Sequence, residues 1–251
     1  MTTLTQEIKE KAINSGFALV GVTSPNNLLD LPYGWVGKIK DLKKPEEIFP
    51  EVKSVIVMAL HTWDQAFYTD IESPSWRGYG LHPPEEEFES YYFASEVTGN
   101  RAWRVVDHLR TKGYKATISR DIPLKTAAVK CGLGSQGKNT LLVTTAYGPR
   151  VSLVSVLTDA PLEADEPFRD ELCGECDKCI KACPTGALEP YRLNIVRCLT
   201  YSAETPHTMD VPPDVRELDR KLIKRPTANS YIECTTCINA CPIGKSKQGH
   251  F

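Results

Sequence analysis

The chain has 251 residues, of which 25% are charged and 41% hydrophobic, and a net charge of −2. That is an ordinary globular composition with room for a sizeable core, and it offers no global field to draw in nucleic acid. No apolar run approaches the roughly 20 residues of a membrane helix, and the first 15 residues are polar rather than an apolar leader, so a cytoplasmic protein is expected. Along the chain, apolar spacing predicts an amphipathic helix over 3–14, with Leu4, Ile8 and Ile13 among charges and Gly16 as the stop. A strand follows over 17–22 and a helical turn over 45–49. Residues 54–60, Ser-Val-Ile-Val-Met-Ala-Leu, are apolar at every position after the serine, as a central strand covered on both faces would be. Aromatics, Pro and Gly over 63–84 predict a long loop, and a helix is expected over 85–112, broken near 98–100. Further strands are expected over 114–119, 140–144 and 151–157, the last two joined around Gly148 and Pro149, with a helix over 124–130. An acidic linker over 163–171 sets the expected boundary between a unit over 1–162 and another over 163–251.

Eight of the nine cysteines fall between Cys173 and Cys241. Cys173, Cys176, Cys179 and Cys183, then Pro184, spell C-x2-C-x2-C-x3-C-P, the ligand run of bacterial two-cluster ferredoxins. A second, interrupted copy consists of Cys198, then Cys234, Cys237 and Cys241 followed by Pro242. Three cysteines in a short loop reach three irons of a cubane, and the fourth thiolate must come from elsewhere. By that pattern Cys173, Cys176, Cys179 and Cys241 hold one 4Fe-4S cluster, and Cys183, Cys198, Cys234 and Cys237 hold the other. Each proline fixes φ and turns the chain away. Zinc is satisfied by paired C-x2-C knuckles and does not call for this run, and a disulfide framework belongs to secreted chains. A cluster pair moves single electrons. Cys131 stands apart and reads as a small buried hydrophobe.

The stretch Lys130-Cys-Gly-Leu-Gly-Ser-Gln-Gly-Lys-Asn139 with Leu141 and Leu142, the segment Leu157-Thr-Asp-Ala-Pro-Leu162, and Arg197-Cys198-Leu-Thr-Tyr201 after the first cysteine run resemble the epoxyqueuosine reductase family, a relative of the reductive dehalogenases. The likeness is good over about residues 120–245 and follows only element order before that. It implies an α+β chain: a nitroreductase-like, corrinoid-binding-type α/β domain, then a small ferredoxin-like two-cluster domain. It further implies cobalamin as a cofactor, with the clusters feeding electrons to cobalt for reduction of an organic substrate, either a small molecule or a modified nucleoside. The sequence has no counterpart of the family's helical-repeat domain after the second cluster, so tRNA is not the expected substrate. A low-potential donor, a flavodoxin or ferredoxin-like protein, is the expected partner, docking on Lys221, Lys224, Arg225, Lys245 and Lys247 if these are more than a solvated face. The alternatives are an electron-transfer protein or a reductive activator of another corrinoid protein, without its own cobalamin, and a flavin in the same pocket.

Candidate site residues follow from the same stretches. Gly132, Gly134 and Gly137 with Lys138 and Asn139 form either a ligand-cradling turn or a tight structural one. Asp121 is the nearest match to the family's catalytic aspartate, its bland alternative being a helix cap beside Pro123. Tyr91 and Tyr92 are candidate proton donors or packing residues, and Arg150 contacts either a ligand phosphate or solvent.

Overall fold

A computed structural model describes residues 3–73, 75–78 and 90–244. Helix α1 (Leu4–Asn14) starts at a reciprocal cap: Gln6 N donates to Thr3 Oγ1 at 3.2 Å, and Thr3 N donates to Gln6 Oε1 at 3.0 Å. Gly16, with φ +94°, releases the chain from it. Strand β1 (Leu19–Thr23), a small hairpin of β2 (Gly34–Val36) and β3 (Lys40–Leu42), and the helical turn α2 (Pro45–Ile48) lead to β4 (Ser54–His61). Next come β5 (Thr69–Glu72), β6 (Ser90–Tyr92), helix α3 (Phe93–Thr111), β7 (Ala116–Ser119) and α4 (Leu124–Lys130). The hairpin of β8 (Ser135–Gln136) and β9 (Leu142–Val143) precedes β10 (Val151–Thr158).

The main sheet runs β1–β4–β10–β7 with every pairing antiparallel. Alternate residues of β4 serve opposite cores. Ile56, Met58 and Leu60 pack with Ile8 and Ala12 of α1 and with Val105 and Leu109 of α3. Val55 and Val57 pack with Ala127 and Ala128 of α4 and with Cys131. Helices cover both faces, which is why β4 reads as a continuous apolar run although its neighbours are antiparallel.

Three expectations are corrected. Residues 98–100 do not break α3. The Thr98 hydroxyl donates back to Ala94 O at 2.8 Å, and Gly99 leaves room for the Arg120 guanidinium, which would stand 3.0 Å from a Cβ there. The helix begins at Phe93, and the preceding residues form β6; residues 79–89 of the expected loop and helix lie outside the described residues. Of the strand expected over 140–144 only β9, Leu142–Val143, forms, and it pairs with β8.

Beyond the linker lie α5 (Lys178–Ala182), the two-residue strands β11 (Leu188–Glu189) and β12 (Arg192–Leu193), α6 (Leu199–Glu204), α7 (Pro213–Leu222), β13 (Lys224–Thr227), β14 (Ser230–Ile232) and α8 (Thr236–Ala240). A second four-stranded sheet, β13–β14–β5–β6, joins residues from both sides of position 162. This part also has an apolar core of its own: Leu199, Tyr201 and Ala203 of α6 close on Val215 of α7, Val211 and Tyr231. It therefore does not rely on metal alone for burial, as its cysteine density suggests.

Candidate metal and cofactor centre

The two cysteine runs fold alike. Cys179 lies in α5 and Cys237 in α8, while Cys183 and Cys241 cap the C-termini of these helices in extended backbone. A following proline requires that conformation, so each C-P pair ends its helix and turns a thiol inward. Helices α5 and α8 pack against each other. Burial pushes the Cys179 thiol pKa up, and the charges of Cys173 and Cys241 push it further. Burial also raises Cys241, against Arg150, with Cys173 and Cys176 adding to the rise. Cys237 is pushed up to about 12 by burial, then by Cys234, Cys198, Cys179 and Cys183. Cys179 and Cys241 thus feel the first cysteine run, and Cys237 feels Cys234, Cys198, Cys179 and Cys183, so the two runs approach each other where α5 meets α8. Buried thiols held up in this way ionise when a metal replaces the proton.

The second group opens on a cavity of about 470 Å³. Its walls are mainly apolar: Leu141, Leu142, Val151 and Leu153 from the first part of the chain, Leu188, Leu193 and Ile195 from the second. Such a volume lies within the roughly 300–1,000 Å³ of small-molecule sites. One end is polar. Tyr92 Oη donates to Glu233 Oε2 at 3.2 Å, and Glu233 is hydrogen-bonded to Glu204. Burial raises both carboxyls, Glu233 to about 7 and Glu204 well above the usual carboxylate range, so the pair holds a proton near neutrality. Burial likewise lifts the Tyr92 phenol and lowers the Lys125 ammonium. Lys125 keeps accessible surface because it lines this cavity. Glu204, Glu233 and Lys125 escape sequence reasoning, since Glu204 and Glu233 lie on separate elements. The one local signal is that Glu233 directly precedes Cys234.

Of the other candidates, Tyr92 and Asn139 line the cavity. Tyr91 is exposed on β6, and Asp121 is exposed in an ion pair with Lys40 at 3.3 Å; neither borders the cavity. The glycines pack closely on their surroundings. A Cβ on Gly134 would collide with the Val143 carbonyl, 2.9 Å from its carbon, and one on Gly137 would stand 2.6 Å from Asn139 Oδ1. Gly132 (φ +79°) lies against Glu166 at a separate surface hollow. Lys138 Nζ donates to Gly174 O at 2.5 Å and so ties the β8–β9 turn to the loop of the first cysteine run. Arg150 does not border the cavity: it is 2% exposed and its guanidinium donates to Ile238, Cys241 and Ile243 carbonyls. Lys245 and Lys247 lie outside the described residues, and Lys221 and Arg225 pair with Glu217 and Glu72.

A family profile for 4Fe-4S double cluster binding domains matches residues 172–244. Epoxyqueuosine reductase of Bacillus subtilis is 35% identical over 145 residues, which span 57% of this chain and 34% of the relative. The enzyme of the same name from Atelocyanobacterium thalassa is 27% identical over 265 residues, 98% of this chain and 81% of that one. The chain is a relative of the epoxyqueuosine reductases. The solved Bacillus subtilis epoxyqueuosine reductase superposes with a TM-score of 0.70 at 24% identity, covering 98% of this chain and 67% of that one. An epoxyqueuosine reductase has also been solved with an epoxyqueuosine-modified tRNA stem loop (TM-score 0.70, 23% identity, 98% of this chain and 67% of that one). A reductive dehalogenase described with B12-dependent dehalogenation shares the fold at a TM-score of 0.60 and 17% identity, over 96% of this chain and 32% of that one. The first of these sequence alignments spans about a third of its epoxyqueuosine reductase. The double-cluster match makes iron–sulfur clusters the cofactor class of residues 172–244. Among the described residues no helix is long and apolar enough to cross a membrane.

Proposed function

We propose that this chain is an iron–sulfur reductase that passes electrons through two 4Fe-4S clusters to a cobalamin-type cofactor in the cavity, for reduction of an organic substrate. One observation carries the reading: Cys183, Cys198, Cys234 and Cys237 all border the cavity, whereas none of Cys173, Cys176, Cys179 and Cys241 does. The second cluster would therefore adjoin whatever the cavity holds, and the first would stand behind it on the side of an external donor such as a flavodoxin or ferredoxin-like protein.

The residues fit both groups. Eight thiols in two sets of four suit two cubanes, and a mainly apolar cavity with a few polar groups at one end suits the chemistry of a corrin ring, although its roughly 470 Å³ takes in only part of a cobalamin. The clusters supply single electrons and a corrinoid supplies low-valent cobalt as the reductant. The protein's own part is to hold and exclude. Leu141, Leu142, Val151 and Leu153 keep water from the cavity, and Asn139 and Lys125 offer hydrogen bonds there. Tyr92 Oη carries a proton at the cavity wall, oriented by Glu233. The substrate belongs to the class reduced by loss of an oxygen or halogen. A modified nucleoside remains within that class by likeness to the tRNA-bound relative.

The test fills the cavity without touching a thiol. Leu193 is 38% exposed on the short β12 strand and faces the cavity. Leu193→Trp is expected to weaken cob(II)alamin binding at least about tenfold, with iron and sulfide content unchanged. Unaltered binding in that variant would place the corrinoid elsewhere.

A further inference from the structure

Arg150 is a buried cation that no carboxylate among the described residues pairs with. Its three hydrogen-bond acceptors are neutral backbone carbonyls: Ile243 O at 2.9 Å, Cys241 O at 3.0 Å and Ile238 O at 3.1 Å. Its Nε is buried and has no partner among the described residues. A guanidinium in that position is costly unless an anion lies close by. Among the described residues, the carbonyls it holds belong to α8 and the turn after it, the segment that carries Cys241. The side chain is also held from behind. Thr62 N donates to Arg150 O at 2.9 Å, and Arg150 N donates to Tyr147 O at 3.2 Å. Gly148 packs so tightly on Ile243 that a Cβ would stand 3.0 Å from its carbonyl carbon. The charge is thus fixed in place rather than free to swing away.

We infer that Arg150 is the built-in counter-charge of the cluster that includes Cys241 and sets that cluster's reduction potential. The inference rests on the ligand reading proposed above. A thiolate-ligated cubane is anionic and gains one more negative charge on reduction, so a fixed cation stabilises the reduced form more than the oxidised one. Arg150 therefore makes that cluster easier to reduce than it would be without the charge. It acts as a positioning and charge residue and touches no substrate.

The experiment uses the full-length, cluster-reconstituted protein in an anaerobic dithionite redox titration followed by EPR. Cys241→Ser first marks which signal belongs to the outer cluster; if it leaves both signals intact, the ligand reading fails and not the role of Arg150. Arg150→Met and Arg150→Gln are expected to lower the reduced-to-oxidised ratio of that cluster about tenfold at the wild-type midpoint, about 59 mV for a one-electron couple. The other cluster should stay within a small fraction of that change. Arg150→Lys, which keeps the charge but not the fork, is expected to stay near wild type even if the neutral variants bind iron poorly. A neutral variant with the wild-type potential, or a Lys variant shifted as far as the Gln variant, would overturn the inference.

Discussion

Cys183→Ala is expected to abolish the cluster next to the cavity while sparing the one held by the three cysteines that precede it in the sequence. Chain order argues the opposite, since Cys183 is only four residues from Cys179. The packing decides otherwise. Cys183 caps α5 and borders the cavity together with Cys198, Cys234 and Cys237, whereas Cys179 does not border it. Ala187 N donates to Cys183 Sγ at 3.3 Å, which fixes where that sulfur points. A cubane with three thiolates is labile, so iron content should fall towards half and the EPR spectrum of the reduced protein should lose one of two interacting signals. Loss confined to the cluster of Cys173, Cys176 and Cys179 would overturn the crossed ligation.

The second large effect is on stability. Gly134→Ala is expected to destabilise the protein by about 1–3 kcal/mol or more, because overpacking against backbone cannot be relieved by a side-chain rotation. The new Cβ would meet the Val143 carbonyl and stand 3.0 Å from Thr144 Cα. Strand β9 must then move off β8, carrying the buried Leu142 out of the core it shares with Val55, Val57 and Leu157. Gly113→Ala serves as the comparison. That glycine has φ +84° but open space around it, and it should cost about 1 kcal/mol. Denaturant unfolding of the two holo-variants checks the order; equal midpoints would show that the glycines of this stretch are not packing residues.

The comparison with the sequence has a physical pattern. The cluster cysteines were legible because ligand geometry fixes their spacing and no tertiary context can shift it. Strand β4 was legible because burial on both faces writes an apolar run, but the direction of its neighbours is not written there. Strand β5 was hidden within an expected loop, since its partner Ser230–Ile232 is far along the chain and contributes no local signal. The same distance hid the Glu204–Glu233 pair. Lys138 and Arg150 were visible as charges next to glycines. That they grip the two cysteine loops, Lys138 through Gly174 and Arg150 through Cys241, depends on contacts no short window contains. Asp121 and Tyr91 match by position near a motif, yet their backbone leads them to solvent.

The most direct test of the account is an anaerobic titration of the cluster-reconstituted protein with cob(II)alamin, followed by EPR. The expected result is a changed, base-off cobalt signal that saturates at about one equivalent while both clusters remain. A cobalt spectrum identical to that of free cob(II)alamin at every ratio would contradict it, and would leave the chain as an electron carrier whose cavity serves another cofactor.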